Sequence, residues 1–135
     1  MASKLLLEIV TPFGKTFSQE VHSCTIPGAN GKFQVLKDHA ALVAKVDVGV
    51  IKIEHLDHRG EYLATSGGFS EVKDNVIKIM VESAEFSDKI DVARAKLAKE
   101  RAEKRIIAKK SDVDIDRARI SLLRALNRIK TSDIH

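Results

Sequence analysis

The chain has 135 residues, a single cysteine and a formal charge of +4 at pH 7. That length fits one domain, or one domain with an appendage, and allows roughly two-thirds of the unfolded surface to be buried in a real core. No apolar run reaches the ~18–20 residues of a membrane span, and the lone Cys24 excludes an internal disulfide and fits a reducing compartment.

The net charge conceals an asymmetry. Residues 1–85 carry 9 Lys/Arg against 11 Asp/Glu, whereas residues 86–135 carry 14 against 8. The basic character therefore belongs to the tail, and from Arg117 to Lys130 there are five cations and no acid. A one-sign surface of this kind steers toward an acidic partner such as a nucleotide, a nucleic acid, a membrane surface or an acidic protein loop.

Leu5-Leu6-Leu7-Glu8-Ile9-Val10 reads as a first strand and not as a signal peptide, because Glu8 interrupts the apolar piece. Thr11-Pro12-Phe13-Gly14 closes it as a tight turn, since proline fixes φ and glycine permits φ > 0. Lys15–Ser18 resumes in alternation. Ser23–Ile26 follows and is expected to stop at the turn cluster Pro27-Gly28-Ala29-Asn30-Gly31. Phe33, Val35 and Leu36 begin another extended piece, and Gly49–Glu54 alternates over part of its length. Asp57-His58-Arg59-Gly60 turns into Glu61–Thr65. Ser66-Gly67-Gly68 interrupts before Phe69–Val72, and Asp74-Asn75 turns into Val76–Val81. Short strands separated by turn signals every eight to twelve residues are the pattern of an all-β sandwich or barrel. Alternation puts Ile77, Ile79 and Val81 on the inward face.

His22-x-Cys24 and His55-x-x-His58 are the metal-ligand types in this part, but neither has a third ligand at a recognisable spacing, so no metal is expected. There is no Gly-x-Ser-x-Gly nucleophile elbow and no Gly-x-x-x-x-Gly-Lys-Ser/Thr phosphate loop. No paired carboxylates stand out either, so the chain reads as non-catalytic.

The tail begins with Ser87 or Asp88 as a helix cap. The helix starts near Ile90 and runs through Lys109, with Ala93, Ala95, Ala98 and Ala102 allowing close approach of a second helix or a ligand. Lys109-Lys110-Ser111-Asp112 breaks the pattern, and Ser111 with Asp114 resembles a capping box. The second helix places Ile115, Ala118, Leu122, Ala125 or Leu126, and Ile129 on one face. A short connection makes the pair an antiparallel hairpin. Arg117, Ser121, Arg124 and Arg128 share another face and can approach Asp91, Arg94 and Arg101. One reading is a solvated cationic face; the other is a polyanion site, because the planar arginine fork gives phosphate two parallel hydrogen bonds.

In order and spacing, Thr11-Pro12-x-Gly14, Pro27-Gly28-x-x-Gly31, Asp38-His39-Ala40, Ser66-Gly67-Gly68-Phe69 and Ala125-Leu126-x-Arg128 resemble the epsilon subunit family of the bacterial rotary F-type ATP synthase. Ala41 departs from the family, in which many relatives have proline after His-Ala. The resemblance implies an α+β fold: a flattened antiparallel β-sandwich of ten strands (1–86) followed by an α-helical hairpin (87–135). It implies that the sandwich docks on the gamma subunit and on the membrane rotor ring of c subunits, and turns with the central stalk. The hairpin would fold down on the sandwich or extend toward the catalytic head, where its cations meet an acidic loop of the beta subunit and inhibit ATP hydrolysis. The location implied is peripheral, on the cytoplasmic face of the bacterial membrane, within a proton-translocating complex.

Some members of that family bind ATP on the folded hairpin as a regulatory ligand, through an Ile/Leu-Asp-x-x-Arg-Ala motif. It stands here as Ile90-Asp91-Val92-Ala93-Arg94-Ala95. The resemblance implies a site made of Glu85, Asp91, Arg94, Ala95, Arg101, Arg124 and Arg128. The rival reading is a small nucleic-acid-binding β-domain with a basic helical tail. Against it, every aromatic residue (Phe13, Phe17, Phe33, Tyr62, Phe69 and Phe86) precedes the basic helices, whereas base-stacking platforms interleave aromatics with cations.

Overall fold

Ten short strands pair into one continuous sheet that folds over on itself, and two helices follow. A computed structural model describes residues 4–108 and 111–134. The strands are β1 (Leu5–Thr11), β2 (Gly14–Val21), β3 (Ser23–Gly28), β4 (Gly31–Leu36), β5 (Leu42–Val46), β6 (Gly49–Glu54), β7 (Gly60–Thr65), β8 (Gly68–Lys73), β9 (Val76–Val81) and β10 (Ala84–Phe86). Neighbours run β10-β7-β6-β3-β5-β8-β9-β1-β2, with β4 beside β3. Strand β3 is the corner: Ser23–Thr25 pair with β6, while only Gly28 reaches β5, opposite Val46. The pairs are antiparallel except β1 with β9, which run parallel from Leu6↔Val76 to Val10↔Met80.

One alternating face of each layer is apolar, and the two faces close on each other. Leu7, Ile9, Val72, Ile77 and Ile79 meet Cys24, Ile26, Val35, Ile51, Ile53 and Leu63, all essentially without solvent access. At roughly 1.5–3 kcal/mol per fully buried large aliphatic side chain, this core dominates the fold. Burial also pushes the Cys24 thiol up to about 12, so it behaves as a small apolar filler and not as a nucleophile or ligand.

Several sequence expectations shift. Pro27 and Gly28 are not the turn after β3 but its last residues, opposite Lys32 and Gly31; Ala29-Asn30 makes the turn. Pro27 has no N–H to give to a ladder, and its carbonyl accepts from the Asp47 N–H at 2.8 Å. Strands β5 and β10 were not evident from alternation. In β5 Val43 faces solvent, and β10 has only three residues. Ser66-Gly67-Gly68 is a crossover between layers: Ser66 N–H donates to the Ser83 carbonyl, and Glu82 N–H to the Gly67 carbonyl.

The tail enters through a 3-10 turn at Ser87–Lys89, not through a helix cap at Ser87 or Asp88. Helix α1 (Val92–Ala108) then begins after Asp91, two residues later than Ile90. The expected passage through Lys109 and the break at Lys109-Lys110 lie outside the described residues. Helix α2 (Asp112–Ser132) is capped by Ser111, whose hydroxyl accepts from the Asp114 N–H at 3.1 Å. The helices meet through alanines: Ala95 and Ala102 on α1, Ala118 and Ala125 on α2. The choice between Ala125 and Leu126 on the inner face falls to Ala125, since Leu126 is exposed.

A methyl on Gly68 would stand 2.1 Å from the Met80 carbonyl oxygen, so backbone would have to move. Gly60 has its nearest neighbour, Tyr62, at 3.7 Å. Gly68→Ala is therefore expected to lower unfolding free energy by roughly 1–3 kcal/mol in urea titrations, and Gly60→Ala by less than about 0.5 kcal/mol.

Candidate functional site between hairpin and sandwich

The hairpin lies down on the sandwich through α2. Near the end of β10, Glu85 accepts from Arg128 Nε at 2.7 Å. One residue earlier on α2, Asn127 Nδ2 donates to the Gly49 carbonyl at 2.7 Å. Both contacts are polar and part-exposed, so each contributes on the order of 1 kcal/mol or less. They leave space around them, in which two cavities open.

The first, about 310 Å³, is lined by Glu85, Lys89, Asp91, Arg94, Ala95 and Arg128. The second, about 250 Å³, lies between Ala98, Ser121, Arg124, Asn127 and Arg128 of the helices and Thr65, Ser66 and Ser83 of the sandwich. Arg128 borders both. Three cations (Lys89, Arg94 and Arg128) thus share the first cavity with two carboxylates (Glu85 and Asp91), and Arg124 joins Arg128 at the second, which has no acid.

The sequence shows why the helices present these groups. Arg124 and Arg128 are four apart and stack on one face of α2. Asp91 is the cap of α1: its carboxylate accepts from the Arg94 N–H at 3.0 Å, and its carbonyl from the Ala95 N–H at 3.0 Å. The Asp-x-x-Arg spacing is therefore first a helix start. It fixes where Arg94 leaves the helix, and it places the unpaired N–H groups and positive end of α1 beside the first cavity. Ala95, buried against α2, has no side chain that would fill the gap.

Of the seven expected site residues, Glu85, Asp91, Arg94, Ala95 and Arg128 share the first cavity, and Arg124 joins Arg128 at the second. Arg101 borders neither; it is exposed, and its Nε donates to the Leu97 carbonyl of its own helix at 3.4 Å. Arg117 is likewise outside both cavities, while Ser121 is inside. Lys89, Ser66 and Ser83 are members that sequence reasoning missed. The Ser66 and Ser83 hydroxyls bond each other at 2.8 Å across two loops, a pairing with no local signal.

The structure also brings together a third metal-ligand type. His22, remote in sequence, reaches Glu54 and His58, although neither His-x-Cys nor His-x-x-His spacing indicated it. Cys24 points into the core, and buried His55 is held by Glu61 and the edge of Phe17.

A β-sandwich carrying an alanine-lined helical pair, with a cationic seam between them, defines a platform-and-hairpin protein. The family profile for the ATP synthase delta/epsilon chain matches along nearly the whole length, its beta-sandwich domain at residues 4–87 and its long alpha-helix domain at 88–133. The chain belongs to this family. It is 43% identical over 135 residues to the ATP synthase epsilon chain of Desulforamulus reducens, covering 98% of this chain and 100% of that one. It is 39% identical to the ATP synthase epsilon chain of Desulfitobacterium hafniense strain Y51, covering 98% of both. Its fold matches a chain in the cryo-EM structure of the Euglena gracilis mitochondrial ATP synthase, OSCP/F1/c-ring, with a TM-score of 0.82 at 21% identity, covering 98% of this chain and 82% of that one. The nucleic-acid reading is not favoured: none of the six aromatic residues lies on the helices.

Asp91 both caps α1 through its carboxylate and brings a charge to the first cavity, and substitution separates the two. Asp91→Asn keeps a capping oxygen and is expected to leave stability within about 0.5 kcal/mol, whereas Asp91→Ala loses about 1 kcal/mol and frays α1. Helicity by circular dichroism during thermal melts reads the difference.

Proposed function

We propose that this chain is a non-catalytic rotor subunit of an F-type ATP synthase, in the central stalk. Residues 1–86 are the docking platform for the gamma subunit and the ring of c subunits, and residues 87–135 are a regulatory hairpin. Among the described residues no helix is long and apolar enough to cross a membrane. In this reading the chain associates with the membrane through the complex, peripherally on the cytoplasmic face. Catalysis of ATP synthesis from ADP and phosphate, driven by protons, belongs to the assembly.

The observation that carries the regulatory part is the cationic seam. ATP is the ligand proposed for it: Arg94, Arg124 and Arg128 take the phosphates by charge-assisted forks, aided by Lys89 and the start of α1. Glu85 and Asp91 remain as acceptors for hydroxyl or amine groups of the nucleoside. Arg101, which lines neither cavity here, contributes only if α1 adjusts on binding. Bound ATP offsets repulsion among the arginines and holds the hairpin down. When ATP falls, the helices separate, and the same cations meet the acidic loop of the beta subunit and inhibit hydrolysis.

A second feature favours two states. Leu97, Ile107, Val113, Ile120, Leu123 and Leu126 are large apolar side chains of the hairpin left exposed in the folded-down form. An extended hairpin packed along the stalk covers such residues and gains about 25 cal/mol per Å² of apolar surface removed from water.

Calorimetric titration of the full chain with ATP is expected to show one site, weakened at least roughly tenfold in Arg94→Ala and Arg124→Ala, each of which removes a charged hydrogen bond of about 1.5–3 kcal/mol. Unchanged binding in both variants refutes the site. Within the assembled synthase, truncation after Ser87 should preserve assembly and coupling while raising ATP hydrolysis; loss of assembly refutes the division of labour.

A further inference from the structure

At the opposite corner of the sandwich, three side chains converge that neither the core nor the seam uses. His22 lies between β2 and β3, Glu54 ends β6, and His58 sits in the loop before β7. Glu54 Oε2 is 3.1 Å from His58 Nδ1 and 3.5 Å from His22 Nε2, and the three donor atoms all lie within 4.8 Å of one another. Among the described residues this is the one such cluster.

The backbone fixes the arrangement. His22 N–H donates to the Glu54 carbonyl at 2.9 Å, which ties the two strand ends together. His58 has φ 67°, which turns the loop back over Glu54. That turn is held by His58 N–H to the His55 carbonyl at 2.9 Å and His55 N–H to the Arg59 carbonyl at 2.8 Å. The imidazoles stand edge to face with centroids 5.0 Å apart, so both present ring nitrogens toward the same carboxylate.

We propose that His22, Glu54 and His58 form a divalent metal site of the zinc class. Two neutral imidazoles and one carboxylate are a zinc donor set, whereas magnesium and calcium prefer all-oxygen shells. Donors held ~2.0–2.1 Å from a tetrahedral ion stand about 3.3–3.4 Å apart. The two contacts to Glu54 bracket that edge at 3.1 and 3.5 Å, and the histidine nitrogens lie within 4.8 Å of each other, so rotation of the exposed imidazoles completes the triangle. The side chains of His22 and His58 are 45% and 70% exposed, so an ion enters without opening the core and keeps an outer position for water. The bound ion cross-links the β2–β3 corner to the β6–β7 loop.

Zinc titration of the full chain against a chromophoric chelator tests this. One equivalent is expected to bind, at least tenfold weaker in His22→Ala and in His58→Ala, and unchanged in His39→Ala, which alters a half-buried histidine that is not among the three. Zinc should also raise the melting temperature of the wild type and of His39→Ala, with the rise lost in His58→Ala. Absence of saturable binding below millimolar zinc overturns the proposal, and so does binding that is unchanged in both His22→Ala and His58→Ala. Both variants change exposed side chains, so circular dichroism is expected to report an intact fold.

Discussion

The structure depends on a weak polar seam laid between two parts that are each held together in a different way. The sandwich is held by a dry aliphatic core shared by both layers. The hairpin is held by alanines, which bury little surface, and rests on the sandwich through Arg128–Glu85 and Asn127–Gly49. A large apolar interface there would fuse the helices to the platform. A pair of part-exposed polar contacts instead contributes about 2 kcal/mol at most, a balance that a ligand favouring one state can shift.

On the same scale the ligand proposed for the seam would act as a switch. A ligand shifts an equilibrium only by its difference in affinity between two states. The cavities that bring Arg94, Arg124 and Arg128 together exist because α1, α2 and the sandwich meet. Separation of the helices dissolves that geometry but leaves each cation intact. Moving the hairpin from about 1:99 to 99:1 takes about 5.5 kcal/mol, within reach of two or three charge-assisted arginine contacts. Arg128 adds a complication that the geometry makes explicit. Its guanidinium already holds Glu85, so a phosphate either shares it or displaces the carboxylate.

Much of the fold was legible because burial on one face imposes period two. Strands β1, β6 and β9 announce themselves through Leu7 and Ile9, Ile51 and Ile53, and Ile77 and Ile79. Strand β5 does not, because Val43 is exposed and hydrophobicity there no longer tracks burial. The start of α1 was misplaced because Ser87, Asp88 and Asp91 are all competent caps; the intervening 3-10 turn, invisible to propensity, selects Asp91. In the site, the stacking of Arg124 and Arg128 follows from a spacing of four. The meeting of Arg128 with Glu85 spans strand and helix, and only the family resemblance indicated it. Arg101 shows the converse: helical periodicity puts it in line with Arg94, but the cavity ends before it. His22 with Glu54 and His58 is a third case, since the pairing of β3 with β6 that brings its members together is encoded by no local pattern.

The most direct measurement is the distance between hairpin and platform with and without nucleotide. Spin labels at Val113→Cys, in the first turn of α2, and Glu71→Cys, at an exposed position of β8, leave buried Cys24 unlabelled. Pulsed electron resonance should give one narrow distance in saturating ATP and a broad distribution extending to longer distances without it. The same distribution in both conditions would contradict a nucleotide-held hairpin.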